Sequence, residues 1–433
     1  MKDSGIEWIG EMPDDWSCAK LSYYIDIFTG NSISDSEKKQ FEIFEGIPYI
    51  ATKDINVDFA SVEYDNGMRV PVDSNFKIAK CGSVLLCIEG GSAGKKIAFI
   101  DRDVAFVNKL CAFKARDGFT DKYLYYFIFS DAFIAPFNLS MTGLIGGVSQ
   151  AAIKGIKILI PTKNEQQKIA NLLDDKCAKI DNLISHEQAM IEELKAYKQS
   201  VITEAVTKGL DKSAPMKDSG VEWIGKIPES WSISKIKMLA DETQENAFID
   251  GDWIESPYIE DTGIRYLTTG NIGDGVFKRQ GNGFISNETF TKLQCKYAYP
   301  QDLIFSRLNE EYGRSCILPN DYDKYVIAVD NVILRTNEDK KYICYVTQCS
   351  NYHKTVFFYA RGTAMKRISR TNLGNVAIPL PPIDEQQHIA DYLDEKCADI
   401  DSLISIKQQK IEELKEYKKS LIYEYVTGKK EVA

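Results

Sequence analysis

EQQKIANLLDDKCAKIDNLI, residues Glu165–Ile184, returns as EQQHIADYLDEKCADIDSLI at Glu385–Ile404, and the rest of the chain is arranged around this duplicated stretch. The second copy begins 220 residues after the first, and both copies continue with matching spacing into an IEELK segment. In each copy apolar residues recur at alternating steps of three and four, the pattern of a narrow seam along a long α-helix. The sequence therefore predicts two long helices with equivalent seams.

The seam residues are the predicted contacts between the two helices and with partner proteins. They are Leu173, Ile180, Ile184, Ile191 and Leu194 in the first copy and Leu393, Ile400, Ile404, Ile411 and Leu414 in the second. Asn164 and Asp384 are the predicted N-caps, and Gly209 and Gly428 the predicted helix ends. Such a long seam favours a spacer or partner-binding rod over an ordinary core helix.

The repeat extends beyond the helices. MKDSGIEWIGEMPDDW at residues 1–16 returns as MKDSGVEWIGKIPESW at 216–231, so that the order of entry segment, block and helix occurs twice. Within the blocks, short β-rich runs such as SVLLCI from Ser83 alternate with turns, and the run from Lys122 is predicted to be helical up to Pro136.

The predicted fold class is therefore α+β. Two mixed α/β blocks are joined by two long helices that form an antiparallel coiled coil, with an internal pseudo-twofold repeat. The predicted segments are an N-terminal segment 1–13, a first block 14–160, a central helix 161–215, a repeated entry segment 216–228, a second block 229–383 and a C-terminal helix 384–433.

The composition argues against a zinc protein, a disulfide-rich protein and a membrane protein. Ten cysteines without a CxxC pair and only three histidines argue against zinc and against a disulfide framework. Neither an apolar run of membrane-spanning length nor a signal peptide is evident, so we expect a cytoplasmic protein. The net charge of −10 disfavours nucleic acid as a partner, yet residues 340–382 hold seven basic residues and no acidic one.

That basic stretch is the strongest candidate for contact with DNA. YARGTAMKRISRTNLGN, residues 359–375, interleaves bases with small polar residues that can donate to phosphates or base edges. The corresponding stretch of the first block, residues 138–155, is less basic. The candidate contacts are Arg361, Thr363, Lys366, Arg367 and Arg370 in the second block and Thr142, Ser149, Gln150 and Lys154 in the first. The alternative for both stretches is a solvated loop.

A glycine-rich segment, EGGSAGKK at Glu89–Lys96, resembles a phosphate-binding loop. It is one residue too short for the P-loop, and Lys96 stands where Ser or Thr is needed. Its counterpart LNEEYGRS, residues 308–315, predicts a shared hairpin with Lys95 or Arg314 at the tip. Lys95, Lys96 and Arg314 are candidate phosphate contacts, with a solvated turn as the alternative.

Motifs for catalysis are missing from the sequence. We find neither a methyl-donor loop nor the Asn/Asp-Pro-Pro-aromatic tetrapeptide of adenine methyltransferases, and there is no nucleophile elbow or HExxH. We therefore expect no catalytic residue, metal or cofactor in this chain.

A linked set of motifs resembles the specificity subunit of type I restriction-modification enzymes. The set comprises the duplicated DSGIEWIG and DSGVEWIG starts, Gly362-Thr363 followed by KRIS at Lys366, the IPLPPIDEQQHIA entry from Ile378 and YKKSLIYEYVTGK from Tyr417. The likeness covers nearly the whole chain. The first block departs from the pattern, with MTGLIGGVSQ and IPTKNEQQ at the corresponding places.

The resemblance implies that each block is a target recognition domain that reads one half of a bipartite, asymmetric DNA site. The helices would set the gap between the half-sites and dock two modification subunits, which carry the methyltransferase activity, and ATP-dependent restriction subunits would join them. S-adenosylmethionine, Mg²⁺ and ATP are then expected on those partners. The alternatives are a coiled-coil adaptor that binds proteins and a stand-alone DNA-binding regulator; a catalytic methyltransferase is disfavoured by the missing motifs.

Overall fold

The computed structural model describes residues 1–34, 36–42, 45–57, 61–143, 146–308, 313–360 and 366–432. The chain forms two compact units. Unit 1 consists of Met1–Gln188 and Lys407–Ala433, and unit 2 consists of Ala189–Ile406. Each unit thus combines one globular block with the beginning of one long helix and the end of the other.

The helices include the two long ones that the sequence predicts. In chain order they are α1 (Asp121–Phe129), α2 (Asp131–Leu139), α3 (Gln150–Gly155), α4 (Lys163–Lys208), α5 (Asn287–Leu293), α6 (Lys340–Thr347), α7 (Ser350–Tyr359), α8 (Arg370–Gly374) and α9 (Ile383–Val426). Helix α4 has 46 residues and α9 has 44. None of the helices within the described ranges is long and apolar enough to cross a membrane.

Unit 1 is built from two sheets and two strand pairs. Its strands are β1 (Lys2–Asp3), β2 (Glu11–Met12), β3 (Ser17–Lys20), β4 (Ile25–Thr29), β5 (Ile47–Ile50), β6 (Arg69–Val70), β7 (Ile78–Ala79), β8 (Val84–Cys87), β9 (Ile97–Phe99), β10 (Val104–Phe106), β11 (Leu110–Ala115) and β12 (Lys157–Ile160). The sheet orders are β6-β5-β10-β7 and β4-β11-β8-β9, and the pairs are β1-β2 and β3-β12. Strands β5 and β10 are parallel.

Unit 2 repeats this topology. Its strands are β13 (Met216–Asp218), β14 (Lys226–Pro228), β15 (Ser232–Lys235), β16 (Phe248–Asp250), β17 (Ile264–Leu267), β18 (Phe284–Ile285), β19 (Leu303–Ser306), β20 (Ser315–Ile317), β21 (Tyr325–Ile327), β22 (Asn331–Leu334) and β23 (Ala377–Leu380). The sheet orders are β16-β22-β19-β20 and β18-β17-β21, and the pairs are β13-β14 and β15-β23. The parallel pair is β17 and β21. The predicted α+β class with an internal repeat is confirmed.

Two helices replace the single one predicted up to Pro136. Ser130 is in the extended conformation and ends α1, and its hydroxyl donates to the carbonyl of Phe127 at 2.7 Å. Pro136 lies inside α2 rather than ending it. The prediction was wrong because Ser130, a residue that favours helix ends, was read as part of a continuous helix.

The long helices begin at Lys163 and Ile383, two residues earlier than the predicted N-caps imply, and they have different caps. The N-cap of α4 is Thr162: the amide of Glu165 donates to the Thr162 hydroxyl at 3.4 Å, and the amide of Thr162 donates to the Glu165 carboxylate at 2.9 Å. This is the reciprocal pairing of a capping box. The carbonyl of Pro382 accepts the first helical hydrogen bond of α9, from Gln386 at 3.0 Å. Asn164 and Asp384 therefore lie inside their helices.

The predicted ends of the helices are confirmed. Gly209 and Gly428 follow α4 and α9 with φ of 74° and 69°, a left-handed conformation that glycine adopts without steric cost. A Cβ at Gly428 would stand 2.4 Å from the Pro13 side chain. Glycine is therefore required there by both the backbone conformation and the close approach of the entry segment.

Within each unit, α4 and α9 pack antiparallel. In unit 1, Asp181 pairs with Lys418 and Glu187 pairs with Lys407. A later residue of α4 thus pairs with an earlier residue of α9, as antiparallel helices require. In unit 2, Lys198 pairs with Asp401, while Glu385, at the start of α9, lies beside Gly209. Of the predicted seam, the buried residues are Leu173, Ile180, Ile184, Ile191, Leu393, Ile400 and Ile411, and the half-buried ones are Leu194, Ile404 and Leu414.

A buried tyrosine fixes each block to the end of one long helix and to the strand that leads into the other. In unit 1 the hydroxyl of Tyr123 lies 3.2 Å from the carbonyl of Leu159 in β12 and 3.1 Å from that of Val426 at the end of α9. In unit 2 the equivalent Tyr342 contacts the carbonyls of Pro379 and Val206 at 3.0 and 3.3 Å. Carbonyls at the end of a helix lack partners of their own, so the hydroxyl satisfies one of them.

We expect Tyr342→Phe to lower the free energy of unfolding by about 1–2 kcal/mol, because the variant leaves buried carbonyls without this donor. Tyr123→Phe should have an effect of similar size in unit 1. The measurement is urea unfolding followed by circular dichroism. Tyr23→Phe is the control, since Tyr23 is exposed. Equal stabilities of Tyr342→Phe and Tyr23→Phe would contradict the tyrosine's role.

Candidate nucleic-acid interface

In unit 1 the glycine-rich hairpin and the polar loop before α3, predicted separately, lie side by side. The amide of Gly90 donates to the carbonyl of Gly146 at 2.8 Å, and the amide of Val148 donates to that of Ile88 at 3.0 Å. These bonds join the turn between β8 and β9 to the loop. The two predicted groups of DNA contacts therefore belong to one surface of the block.

Unit 2 has the same arrangement. The amide of Ile368 donates to the carbonyl of Arg307 at 3.1 Å, and Leu308 pairs with Arg367 as an isolated bridge. Ser369 caps α8 by accepting a hydrogen bond from the amide of Asn372 at 3.1 Å. The hairpin and the basic loop thus form one surface in this block too.

Two of the predicted lysines of the first block are exposed, and the third is hydrogen-bonded within the protein. Lys95 and Lys154 are exposed, whereas the half-buried Lys96 donates to the carbonyl of Thr52 at 2.6 Å. Lys95 lies at the turn as predicted, with its ammonium 3.3 Å from the carbonyl of Gly91.

The polar loop of unit 1 uses two of its predicted residues to hold α3. Ser149 is the N-cap and accepts from the amide of Ala152 at 3.2 Å, and the side-chain amide of Gln150 donates to the carbonyl of Ile27. Thr142 is exposed. Contact of these residues with DNA stays a prediction, with Thr142 the more accessible.

Arg314 is not at an exposed hairpin tip. Arg314 is 6% exposed, and its guanidinium donates to the carbonyls of Ile272 and Thr269. The prediction of its position was wrong because the arginine turns inward, where backbone carbonyls from a separate segment accept its hydrogen bonds. Arg361 and Thr363 lie outside the described residues.

The basic loop of unit 2 is held by ion pairs. The buried Arg307 contacts Asp250 at 3.0 Å, Arg370 approaches the same carboxylate at 3.5 Å, and Arg367 contacts Asp330 at 3.0 Å. Burial lowers the pKa of the Arg307 guanidinium, and the nearby Asp250 opposes this change. An arginine in such surroundings stays protonated.

The exposed part of this loop carries an excess of positive charge. Lys366 is exposed, with its ammonium 4.1 Å from the ring centroid of Phe357, and the side chains of Arg367 and Arg370 are about half exposed. Three bases thus reach the surface above Asp250 and Asp330. Phosphate oxygens or base edges are suitable ligands for such an array.

Sequence reasoning missed the residues that support this loop. Arg307, Asp250 and Asp330 orient the loop through their ion pairs. Asn331 is buried, and within the described part of the chain its side-chain amide has no hydrogen-bond partner. A detectable signal existed for Arg307, because it directly follows the buried strand LIFS. A base at that place needs a carboxylate nearby.

Each block also has a polar cleft beside the first strand of its parallel pair. In unit 1 the cleft is about 900 Å³, and its lining includes Lys38, Lys53, Asp54, Asn66 and Arg69. In unit 2 it is about 440 Å³, and its lining includes Arg265, Arg279, Gln280, Asn282 and Asp321. The same place in the fold therefore presents different hydrogen-bonding groups in the two blocks.

Metal-ligating side chains do not cluster in the described ranges. Among these residues, no set of three or more His, Cys, Asp or Glu side chains could hold a metal ion. The cysteines in these ranges are free thiols.

Comparison with known proteins identifies the family. The family described as the type I restriction modification DNA specificity domain matches residues 13–196 and 228–416. The type I restriction enzyme MjaVIII specificity subunit of Methanocaldococcus jannaschii is 24% identical over 425 residues, which are 96% of this chain and 93% of that protein.

Solved structures share the fold. A chain from work on complex assembly and conformational transition of the type I R-M system has a TM-score of 0.72 at 15% identity, over 96% of this chain and 99% of that chain. The HsdS subunit from Thermoanaerobacter tengcongensis has a TM-score of 0.51 at 17% identity, over 96% of this chain and 98% of that chain. Since the family matches both halves of the sequence, the chain belongs to the type I restriction modification DNA specificity domain family.

Proposed function

We propose that this chain is the DNA sequence-recognition subunit of a type I restriction-modification complex, in which each unit reads one half of a bipartite, asymmetric site. One observation carries the proposal: the two units repeat the same strand topology, while their loops and clefts present different polar groups. Sequence is read by side chains that contact base edges. Two readers on one scaffold therefore fit two different half-sites.

Contact with DNA is supported by the charge of the basic loop in unit 2. Its exposed bases Lys366, Arg367 and Arg370 stand out in a chain of net charge −10. Concentrating positive charge on one surface lets an acidic protein bind a polyanion at that surface. Binding by the chain alone is expected to be weak and sensitive to salt.

Catalysis is assigned to partner subunits in this proposal. Two modification subunits would bring S-adenosylmethionine and the methyltransferase activity, and restriction subunits would bring the Mg²⁺- and ATP-dependent reactions. The chain would contribute recognition, and its long helices would set the spacing between the half-sites. The missing catalytic motifs in the sequence support this division.

Docking of modification subunits is supported by exposed apolar residues that are identical in both repeats. Leu183 and Leu403 are 47% and 48% exposed, and Tyr197 and Tyr417 are 59% and 56% exposed. In unit 1, the Asp181–Lys418 ion pair brings Leu183 and Tyr417 to the same level of the two helices.

In unit 2 the equivalent residues Leu403 and Tyr197 lie next to the Lys198–Asp401 ion pair. Exposed apolar side chains contribute little to the fold of either unit, so their retention in both repeats indicates a shared external contact. Two equivalent patches fit two copies of one partner, and we propose that each patch binds one modification subunit.

Sequencing of methylated DNA from cells with and without the gene tests the proposed function. We expect a bipartite motif with methylated adenines that disappears when the gene is deleted. A protein-binding adaptor or a stand-alone DNA-binding regulator would leave the methylation pattern unchanged, so an unchanged pattern would refute the proposal.

Lys366→Ala should weaken binding of the assembled complex to its target DNA by about 1–3 kcal/mol if the lysine contacts a base, or reduce the salt dependence by about one counterion if it contacts a phosphate. Lys226→Ala removes an equal charge from an exposed position in β14 of the same unit and is the control. The measurement is a binding titration at several salt concentrations. Identical behaviour of the two variants would exclude Lys366 from the interface.

The double variant Leu183→Ser with Leu403→Ser should reduce the affinity for modification subunits by about tenfold or more, because it removes one anchor from each patch. Ile406→Ser is the control: Ile406 is 59% exposed on α9, but its equivalent in the first repeat is His186. Affinity is measured by calorimetry with purified subunits. An equal loss in the control would disprove selective use of the duplicated positions.

A further inference from the structure

One level of the helix pair brings equivalent positions of the two repeats into contact. Glu187 and Lys407 are 220 residues apart, which is the displacement between the repeats, and their side chains pair at 3.0 Å. Lys410 contacts the other carboxylate oxygen of Glu187 at 2.6 Å. All three residues belong to unit 1.

The carboxylate is enclosed by these contacts. The side chain of Glu187 is 6% exposed, and that of Lys407 is 19% exposed. Hydrogen bonds from Lys410 and Lys407 lower the pKa of the Glu187 carboxyl, so it remains ionised at neutral pH. A charge in such a place needs partners of opposite sign, since an unpaired charge away from water is costly.

Elsewhere the ion pairs between the helices join positions that are not equivalent. Asp181 pairs with Lys418 in unit 1, and Asp401 pairs with Lys198 in unit 2. Positions 181 and 401 correspond in the repeat, as do 198 and 418, so identical residues in both copies still give opposite charges across each pair. The two repeats can therefore have identical residues at these positions and still form attractive ion pairs between α4 and α9.

Where a position meets its own equivalent, identity would instead place like charges together. The sequence diverges at this level: SHEQAM at 185–190 corresponds to SIKQQK at 405–410. The flanking segments of the helices are nearly identical, with DNLI and DSLI before it and IEELK in both copies after it. Four of the six positions at this level differ between the copies, and they include the reversal of charge between Glu187 and Lys407.

We propose that Glu187, Lys407 and Lys410 select the pairing of α4 with α9 of the same chain and reject the corresponding pairing with a second copy. The apolar seams cannot make this choice, because they have the same register in both helices. An α4–α4 pair between two copies would oppose Glu187 to Glu187, and an α9–α9 pair would oppose lysines to lysines. Like charges across a helix interface disfavour that pairing.

The selection keeps two unlike blocks together. A pairing between two copies of α4 would join two first blocks, whose loops and clefts are the same. The Glu187 cluster therefore ensures that each assembled pair of helices carries one block of each kind. The inference rests on the contacts of α4 and α9 and holds whether or not the blocks bind DNA.

The test uses two full-length variants with different affinity tags, Glu187→Lys and Lys407→Glu with Lys410→Glu. Each variant has like charges between its own helices, whereas either helix of one variant complements either helix of the other at this level. We expect the co-expressed variants to co-purify at about tenfold the level of a co-expressed wild-type pair, as exchanged dimers. Light scattering after size-exclusion chromatography measures their mass.

The triple variant, with all three charges reversed, restores attraction within one chain. We expect it to co-purify with a tagged copy of itself only at the wild-type level and to regain the wild-type urea midpoint. The matched control is Glu192→Lys co-expressed with Lys195→Glu, which places like charges at an exposed ion pair within α4 of each chain and should leave co-purification at the wild-type level.

Several outcomes would overturn the proposal. One is co-purification of the two complementary variants at the wild-type level; another is the same level for the Glu192 and Lys195 control as for the complementary variants. If each variant fails to fold alone, co-expression should restore soluble protein. Failure of the co-expressed pair while the triple variant folds normally would also disprove the selection.

Discussion

A single buried hydroxyl in each unit connects the globular block to the end of one long helix and to the strand that leads into the other. Tyr123 of unit 1 contacts the carbonyl of Val426, 303 residues along the chain, as well as that of Leu159 in the strand that leads into α4. Tyr342 makes the equivalent contacts in unit 2. Because these contacts are buried, a block reaches its final packing only when the end of the other long helix is in place.

The groups around each tyrosine are shared between the units, whereas the exposed loops are not. Gln166 and Gln386 bond the backbone before α1 and α6 in the same way, at 2.9 and 3.0 Å. Asp174 and Asp394 accept from a tyrosine of the same helices, both at 2.7 Å. A buried polar contact tolerates little change, because each partner would be left unsatisfied. Surface loops have no such constraint, so the repeats diverge there and at the level of Glu187.

Charged side chains also differ in role between the helix contacts and the exposed loops. The acidic excess of the chain includes carboxylates that dock helices, whereas the bases of the loop in unit 2 reach its surface over Asp250 and Asp330. Arg307 and Arg314 show that a basic residue near a loop is not by itself a contact for DNA, since both are buried and bind protein groups. Exposure separates Lys366 from these structural arginines.

The two long helices, their seam, their glycine ends and the repeat can be predicted from the sequence, because they depend on spacing along the chain and on local backbone preferences. The capping box of Thr162 and Glu165 is a local signal of the same kind. Three features appear only in the folded chain: the hairpin and the polar loop share one surface, Arg314 turns inward, and Glu187 pairs with Lys407, its equivalent in the other repeat. These facts depend on contacts between residues far apart in sequence, and no local pattern specifies which distant groups a side chain will meet.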